Sequence, residues 1–149
     1  MANTPGNIAV AVDSAWRDYW MMRYGTTEYD LETLSVKKGK SVELGKEIDS
    51  SKGIDYRYIG LIKFTANSWE QVLKLYDGKK ARKESWSSSG KTFTHGFMTD
   101  LLNELIQSGV EVRPCVTEKG WLEFDTEHDY EIILKKFKSG ELAYLFNKK

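Results

Sequence analysis

The sequence predicts an α/β fold, with a mixed and partly parallel sheet flanked by helices. Short apolar runs of the kind found in buried strands alternate with longer segments whose apolar residues recur at helical spacing. A hairpin signal in the first third of the chain adds an antiparallel pair to that sheet. The 149 residues suffice for one domain with its own core. Because no internal repeat or linker divides them, we expect a single domain over residues 1–149.

The first third of the chain predicts a strand, a helix and a hairpin. Residues 8–12 (IAVAV) form a continuous apolar run, as in strands that are buried on both faces. Ser14 is expected to cap the helix that follows, and aromatic residues at helical spacing give that helix a core-facing side. Residues 31–48 contain two alternating segments around Lys38-Gly39-Lys40, which predicts a β-hairpin.

The middle of the chain carries the strongest strand signal. Residues 55–65 (DYRYIGLIKFT) are rich in aromatic and branched side chains, and we expect them to form a central strand. Gly60 interrupts this run, which predicts a bulge or a close approach by another group. Ser68 is expected to open a helix whose apolar side comes from residues 72–76.

The second half predicts a helix, two further strands and a final helix. Residues 84–93 are polar and serine-rich and predict a loop, whereas residues 97–108 predict an amphipathic helix that Gly109 ends. The segment VEVRPCV predicts a strand in which Pro114 indicates an edge or a bulge. Trp121 begins the next predicted strand, which runs to Phe124.

The composition excludes several function classes. Lys plus Arg equals Asp plus Glu at 22 each, which argues against general binding to nucleic acid or to a membrane surface. The basic run at residues 78–84 is more typical of a solvated helix end than of a phosphate site. One cysteine, Cys115, leaves no internal disulfide and fits a reducing compartment. With no long apolar run and no signal-peptide pattern, we expect a cytoplasmic protein.

Acidic residues alternate with apolar ones in WLEFDTEHDY, residues 121–130. Thr126 is expected to cap the final helix, from residue 127 to about 138, and acids in its first turn suit the helix dipole. Asp125 lies between the predicted strand and that helix. In α/β sheets a carboxylate at the end of a strand faces the ligand crevice, where Mg²⁺ commonly takes one or two carboxylates plus substrate phosphates. Asp125 is therefore a candidate metal ligand, although it could also belong simply to the start of the helix.

The order of these segments resembles a known enzyme family. MTDLLNELIQSGVEVRPCVTEKGWLEFDTEHDYE, residues 98–131, resembles the C-terminal part of nucleotidyltransferases of the sugar-phosphate and phosphocholine cytidylyltransferase type. Upstream of it, the segments IAVAVDSAWRDYWMMRYG and YIGLIKF occur in the order seen in that family. The resemblance therefore covers nearly all of residues 8–135. It implies part of a nucleotide-diphospho-sugar transferase-like fold.

Two parts of the family pattern are absent from the sequence. The family's glycine-rich loop, roughly G-x-G-x-R, holds the nucleotide triphosphate through backbone N–H groups and basic side chains. No such loop occurs in the 149 residues, and neither does the family's first metal-binding aspartate; Asp13 instead matches a later aspartate-x-x-tryptophan motif. We therefore expect the acceptor-binding half of such an enzyme without its nucleotide-binding half, as an engineered fragment or a naturally short reading frame.

The resemblance assigns roles to several residues. Asp125 matches a metal ligand, with Mg²⁺ as the implied cofactor, and Glu123 matches the acid beside it, although a solvent-facing strand acid is the alternative. Gly60 matches a position where the backbone approaches the acceptor. Lys63 would face a phosphate or form a surface ion pair.

Three further residues are weaker candidates for contacts with the substrate. Asp100 is either a ligand-facing acid or part of the polar side of its helix. Arg23 and Tyr58 are candidate acceptor contacts.

The resemblance implies a metal-dependent nucleotidyltransferase that acts on a phosphorylated small-molecule acceptor and a nucleotide. Because such catalysis depends on positioning and charge neutralisation, we expect no independent transfer without the triphosphate loop. A non-catalytic binding protein or an oligomeric interaction protein is the alternative. An uncovered strand edge and net charge near zero also predict self-association, as a homodimer.

Overall fold

The computed structural model describes residues 1–146 and confirms the α/β class. Within those residues the strands are β1 (Ile8–Asp13), β2 (Glu32–Lys37), β3 (Lys40–Glu47), β4 (Arg57–Phe64) and β5 (Val112–Thr117). The helices are α1 (Trp16–Tyr24), α2 (Ala66–Arg82), α3 (Met98–Gln107), α4 (Glu127–Ser139) and α5 (Ala143–Phe146), with one 3₁₀ turn at Phe93–His95. No helix in this described part of the chain is long and apolar enough to cross a membrane.

The five strands form one mixed sheet in the order β2-β3-β5-β1-β4. Strand β1 lies between β5, to which it runs parallel, and β4, to which it runs antiparallel. All six of its residues are buried, which confirms the prediction that the IAVAV run is a strand covered on both faces.

Strand β4 lies at the edge of the sheet, so the prediction of a central position for residues 55–65 was wrong. Aromatic and branched residues favour any half-buried pleated surface and do not distinguish an edge strand from a central one. The bulge predicted at Gly60 is confirmed. Val10 pairs with Ile62 and Val12 with Tyr58, so β4 carries extra residues there, and Gly60 has a φ of +81° that favours glycine.

The structure confirms the predicted hairpin turn and one predicted helix cap, but not the cap predicted at Ser68. The hairpin of β2 and β3 turns at Lys38 and Gly39, whose φ values of +50° and +72° match the turn predicted there. Helix α4 begins at the predicted cap, because the Thr126 hydroxyl accepts from the N–H of Asp129. Helix α2 instead begins after Thr65, whose hydroxyl accepts from the N–H of Ser68, the predicted cap.

The segment between β5 and α4 is not the strand that the sequence predicted. Residues 121–126 form no strand in the described structure, and their apolar side chains pack on helices instead. Trp121, for example, makes an edge-on contact with Tyr19 of α1, with ring centroids 4.9 Å apart. Alternation of apolar and polar residues therefore reports which side chains are buried and not whether the backbone joins a sheet.

The hydrophobic core has two parts. The aliphatic cluster joins the sheet to α2 and α3 and consists mainly of Ile8, Val10, Val12, Leu34, Leu44, Val72, Leu101, Leu102, Leu105 and Val112, with Trp86. The aromatic cluster lies around α1 and consists of Trp16, Tyr19, Trp20, Leu31, Ile54, Ile133, Leu142 and Leu145. Helix α3 packs closely on β3, since a Cβ on Gly45 would lie 2.2 Å from the Thr99 Cβ.

Candidate functional site

The carboxyl end of β1 is fixed by a buried carboxylate. Asp13 is 1% exposed, and its Oδ1 accepts from the N–H groups of Ala15 (2.8 Å) and Lys119 (3.0 Å). Its Oδ2 accepts from Nε1 of Trp121 at 2.8 Å. Asp13, and not Ser14 as predicted, thus satisfies the first N–H before α1, while the Ser14 hydroxyl donates to the Thr117 carbonyl. These bonds hold the 117–126 segment against the start of α1.

Helix α1 presents one basic side chain to this segment. Trp16, Tyr19, Trp20 and Arg23 are the buried residues of the helix and share one face, as their spacing requires. The first three fill the aromatic cluster, which leaves the Arg23 guanidinium at its margin, facing residues 123–129.

Three carboxylates surround the Arg23 guanidinium and form with it what we call the arginine–carboxylate cluster. Nη1 donates to Oε1 of Glu123 at 2.5 Å, and Nη2 donates to Oδ2 of Asp125 at 2.6 Å. Nε and Nη2 donate to the two oxygens of Asp129 at 2.6 and 2.7 Å. The bidentate pair with Asp129 is the buried centre of the cluster, since the two side chains are 1% and 3% exposed.

The cluster shifts the titration of its members in opposite directions. Hydrogen bonds from Arg23 hold the pKa of Asp129 far below its usual range, against the effect of burial, and bonds from Thr126 add to this. Burial disfavours the charge of Arg23, but bonds to Asp129 and Asp125 raise its pKa. Burial raises the pKa of Glu123 despite the nearby Arg23 charge.

Tyr19 ties Glu123 to helix α1 through its hydroxyl. That hydroxyl donates to the Glu123 carbonyl at 2.9 Å and accepts from the Glu123 N–H at 3.0 Å. The backbone that carries Glu123 and Asp125 is therefore held by an aromatic side chain of the core, and burial raises the pKa of that tyrosine. The carboxylates of the cluster lie on a rigid support.

Asp125 has the geometry of one carboxylate ligand and not of a complete metal site. Its side chain is 64% exposed, and one oxygen is bound to Arg23. No group of three or more His, Cys, Asp or Glu residues in the described part of the chain is arranged to hold a metal ion. A Mg²⁺ ion here would take a carboxylate oxygen from Asp125, and from Glu123 if it leaves Arg23, with its other ligands supplied by water and by phosphate oxygens. The donor set fits half of such a site.

The other predicted substrate residues lie on two further parts of the fold. Tyr58 and Gly60 belong to β4. Tyr58 is half-buried against the aliphatic cluster, and burial with the nearby Glu32 raises its pKa to about 12. A Cβ on Gly60 would meet nothing within 4 Å, so its positive φ, and not a crowded neighbour in this chain, favours glycine.

Lys63 and Asp100 are engaged elsewhere in the fold. Lys63 pairs with Ala9, at the opposite end of β1 from Asp13, and its Nζ donates to the Thr4 carbonyl at 2.5 Å. Asp100 is 1% exposed in the first turn of α3, where Oδ2 accepts from the Phe97 N–H and Oδ1 accepts from the Ser88 hydroxyl. The structure thus brings together Arg23, Glu123 and Asp125 among the predicted residues.

Sequence reasoning missed Asp129 and Arg57 as members of this region. Asp129 was visible in the sequence, because an acid three residues after a threonine cap is the capping-box position. Its Oδ2 indeed accepts from both the N–H and the hydroxyl of Thr126. Arg57 begins β4 beside Asp13 and gave no local signal.

Comparison with known proteins gives sequence and fold relatives but no family model, since none matches the chain. CTP:phosphoglutamine cytidylyltransferase of Campylobacter jejuni is 28% identical over 136 residues, which are 91% of this chain and 53% of that protein. The inositol-1-phosphate CTP transferase of T. maritima superposes with a TM-score of 0.52 at 19% identity, over 89% of this chain and 46% of that one. The chain therefore spans about half the length of each protein. Over nine-tenths of its own length it is similar to cytidylyltransferases, in sequence to one and in fold to the other.

Proposed function

We propose that this chain carries the acceptor-binding half of a cytidylyltransferase-type site, which recognises a phosphorylated small molecule and contributes Asp125 to a Mg²⁺ site. The observation that supports this most is the placement of Glu123 and Asp125 on a held backbone segment, with the Asp125 carboxylate exposed. Both similar proteins use CTP by their names, and one is named for phosphoglutamine and the other for inositol 1-phosphate. A cytoplasmic location and a single domain remain predictions.

The 149 residues by themselves are expected to bind without transferring a nucleotidyl group. In phosphoryl and nucleotidyl transfer most of the catalysis comes from positioning and charge neutralisation, and the sequence holds no glycine-rich loop to cradle a triphosphate. The only guanidinium of the arginine–carboxylate cluster is that of Arg23. Three carboxylates already bind it, so it does not supply a free positive charge to neutralise a triphosphate. A binding function is therefore what these residues support.

Calorimetry with six titrations tests the proposal. Inositol 1-phosphate and phosphocholine are titrated with and without Mg²⁺, and CTP is titrated in the same way. We expect a phosphorylated compound to bind more tightly with Mg²⁺, no measurable heat with CTP, and no pyrophosphate release in the complete mixture. Pyrophosphate release well above background would contradict the binding role, and absence of binding by every phosphorylated compound would contradict the acceptor site.

A homodimer is the second proposal, and a specific surface favours it. An apolar groove of about 330 Å³ lies between residues 122–124, α4 and α5, and its rim includes Phe137 (70% exposed), Tyr130 (55%) and Phe124 (52%). Exposed aromatic side chains grouped in this way are typical of interaction surfaces. Two-fold pairing of this surface with a second copy would cover it.

Light scattering after gel filtration measures the oligomer. We expect a mass of two chains at micromolar concentration and a mass of one chain for Phe137→Asp, with Glu131→Gln on the same helix as the control. A wild-type mass near 17.1 kDa across that range would end the homodimer proposal.

A further inference from the structure

Arg57 has a buried donor that the protein does not use. The residue is 8% exposed, and its Nη2 donates to Oδ2 of Asp30 at 2.8 Å. Nη1 is buried and has no hydrogen-bond partner among residues 1–146. An unsatisfied donor on a buried cation is costly, and natural proteins keep few of them away from functional sites.

The surroundings of Arg57 connect it to the arginine–carboxylate cluster. Its guanidinium stacks over the ring of Trp20 at 4.7 Å, which fixes its plane. The Trp20 ring in turn packs edge-on against the Tyr24 ring, with centroids 5.6 Å apart, and the Arg23 guanidinium lies over that same Tyr24 ring at 4.7 Å. Arg57 and Arg23 therefore lie on one aromatic stack at the margin of the cluster.

The charge balance of this region indicates which ligands fit. Four carboxylates are bound to these two guanidinium groups: Asp30 to Arg57, and Glu123, Asp125 and Asp129 to Arg23. An anionic head group would meet this excess of negative charge, whereas a plain cation would leave the unpaired N–H without an acceptor. A neutral group with an oxygen acceptor next to an O–H or N–H donor satisfies both, because the oxygen accepts from Arg57 and a carboxylate accepts from the donor.

The same geometry offers a route to the donor. The carboxylate that binds Arg57 belongs to Asp30, whose side chain is 53% exposed. A ligand that displaces this carboxylate reaches the guanidinium from the surface. Trp20 is fully buried behind it and keeps the guanidinium in place during the exchange.

We propose that Arg57 is a specificity-determining residue of the acceptor site, and that its free Nη1 donates to the oxygen of a neutral polar head group, a polyol or a primary amide. This inference rests on the proposed acceptor-binding function and names the substrate class of that site. Glu32 and Glu123 accept from the hydroxyl or amide hydrogens of the same head group. The phosphate of the ligand then lies toward Asp125, on the other side of Glu123.

Two matched pairs of phosphate esters test the inference by calorimetry with Mg²⁺ present. Glycerol 3-phosphate is compared with n-propyl phosphate, and 2-amino-2-oxoethyl phosphate with ethyl phosphate, so that each pair differs in the neutral polar group. A charge-assisted hydrogen bond is worth about tenfold or more in affinity, and we expect a ratio of that size in at least one pair.

The variants assign that ratio to Arg57. Arg57→Gln should reduce the ratio to about one, and Arg57→Lys should retain part of it. Arg113→Gln, which changes a half-buried arginine on β5 that pairs with Glu111, should leave the ratio unchanged. Near-UV circular dichroism of Trp20 and its neighbours reports whether each variant is folded. If Arg57→Gln does not fold, the inference is tested by comparing the affinity ratio of Arg57→Lys with that of the wild type.

The possible results distinguish the role of Arg57 from the proposed binding of a phosphorylated acceptor. If the alkyl phosphates bind as tightly as their polar partners, the inference is overturned and acceptor binding stands. A ratio that persists in Arg57→Gln also overturns it. If none of the esters binds at millimolar concentration, the acceptor site is rejected and the role of Arg57 with it.

Discussion

The two hydrophobic clusters are built from different side chains and do different work. The aliphatic cluster consists almost wholly of branched side chains without polar atoms, and it joins β1 to α2 and α3. The aromatic cluster is built around Trp16, Tyr19 and Trp20 on α1. Two of these carry a polar atom that is bonded to a loop: Trp20 donates to the Tyr29 carbonyl and Tyr19 binds Glu123.

This difference shows how one small domain separates stability from positioning. Aliphatic side chains contribute burial and shape alone, so the first cluster mainly stabilises the sheet; its one tryptophan, Trp86, also donates to the Phe93 carbonyl. Tyr19 and Trp20 each bury a large apolar body and keep a hydrogen bond to a loop, and through Tyr19 the second cluster also fixes the segment that carries Glu123 and Asp125. Variants in the two regions should therefore differ in which property they change.

Loss of Arg23 should have the largest effect. Arg23→Met leaves Asp129 buried without its partner, and removing one member of a buried ion pair lowers the free energy of unfolding by about 3–5 kcal/mol. Urea denaturation measures this. Arg82→Met, which breaks an exposed pair with Glu84, is the control and should leave the free energy of unfolding almost unchanged. Equal effects of the two variants would contradict the central role of the cluster.

Lowering the pH should reproduce part of the loss in the free energy of unfolding that is expected for Arg23→Met. The pKa of Asp129 is depressed in the fold relative to about 3.9 when unfolded, so its stabilisation is present above about pH 4 and is lost as pH falls further. The raised pKa of Glu123 acts with the opposite sign, since its protonation in mildly acid solution favours the fold. Urea midpoints from about pH 7 to pH 3 should fall steeply below pH 4 in the wild type and less steeply in Arg23→Met. Parallel curves would argue against this assignment.

The aliphatic cluster should affect stability alone. Leu102 is fully buried on α3, and Leu102→Ala should lower the free energy of unfolding by about 3 kcal/mol through the lost contacts and the cavity. Leu61→Ala, at a side chain that is 59% exposed, is the matched control. Binding of phosphorylated acceptors by the folded fraction should equal that of the wild type. A change in affinity would show that the two clusters are not separate.

Tyr19 should have a smaller effect on stability and a clear effect on positioning. Tyr19→Phe keeps the packed ring and removes the hydroxyl that binds the Glu123 carbonyl and N–H, at a cost of about 1 kcal/mol. Because Glu123 then loses its support, acceptor affinity should fall even in fully folded protein. Tyr76→Phe on α2 is the control, and an unchanged affinity in Tyr19→Phe would remove the positioning role.

Asp125 should have the smallest effect on stability. Its side chain is exposed, so Asp125→Asn should change the free energy of unfolding by less than about 0.5 kcal/mol. Loss of its charge should weaken Mn²⁺ binding, followed by electron paramagnetic resonance, by about tenfold. Asp77→Asn on α2 controls for nonspecific attraction. Matching Mn²⁺ titrations for Asp125→Asn and the wild type would reject the metal role.

Two local features of the fold were predicted correctly, whereas the long-range position of a strand was not. The Lys38-Gly39 turn and the Thr126 cap depend on residues within a few positions of each other, and both were found. The edge position of β4 depends on which other strands are present, and nothing within residues 55–65 records it.

The candidate site shows the same division. The resemblance placed Glu123 and Asp125 in one site, but the guanidinium between them comes from α1, far away along the chain. Arg23 was a weak candidate because a single arginine on a helix face has no recognisable pattern. Arg57 was missed because only its burial and its unpaired donor distinguish it, and both are tertiary properties.

The parallel pairing of β1 with β5 has a consequence for the order of folding. Ile8 lies beside Val112, so β1, the earliest of these five strands along the chain, meets one of its two neighbours only after about a hundred further residues have been made. Its other neighbour, β4, emerges earlier and can pair with it as an antiparallel partner. Until β5 arrives, one edge of a strand that is apolar except for Asp13 is open to other nascent chains, and such nonlocal pairing is slow. Yield on expression should therefore depend on chaperone supply and temperature more than the stability of the finished fold would suggest.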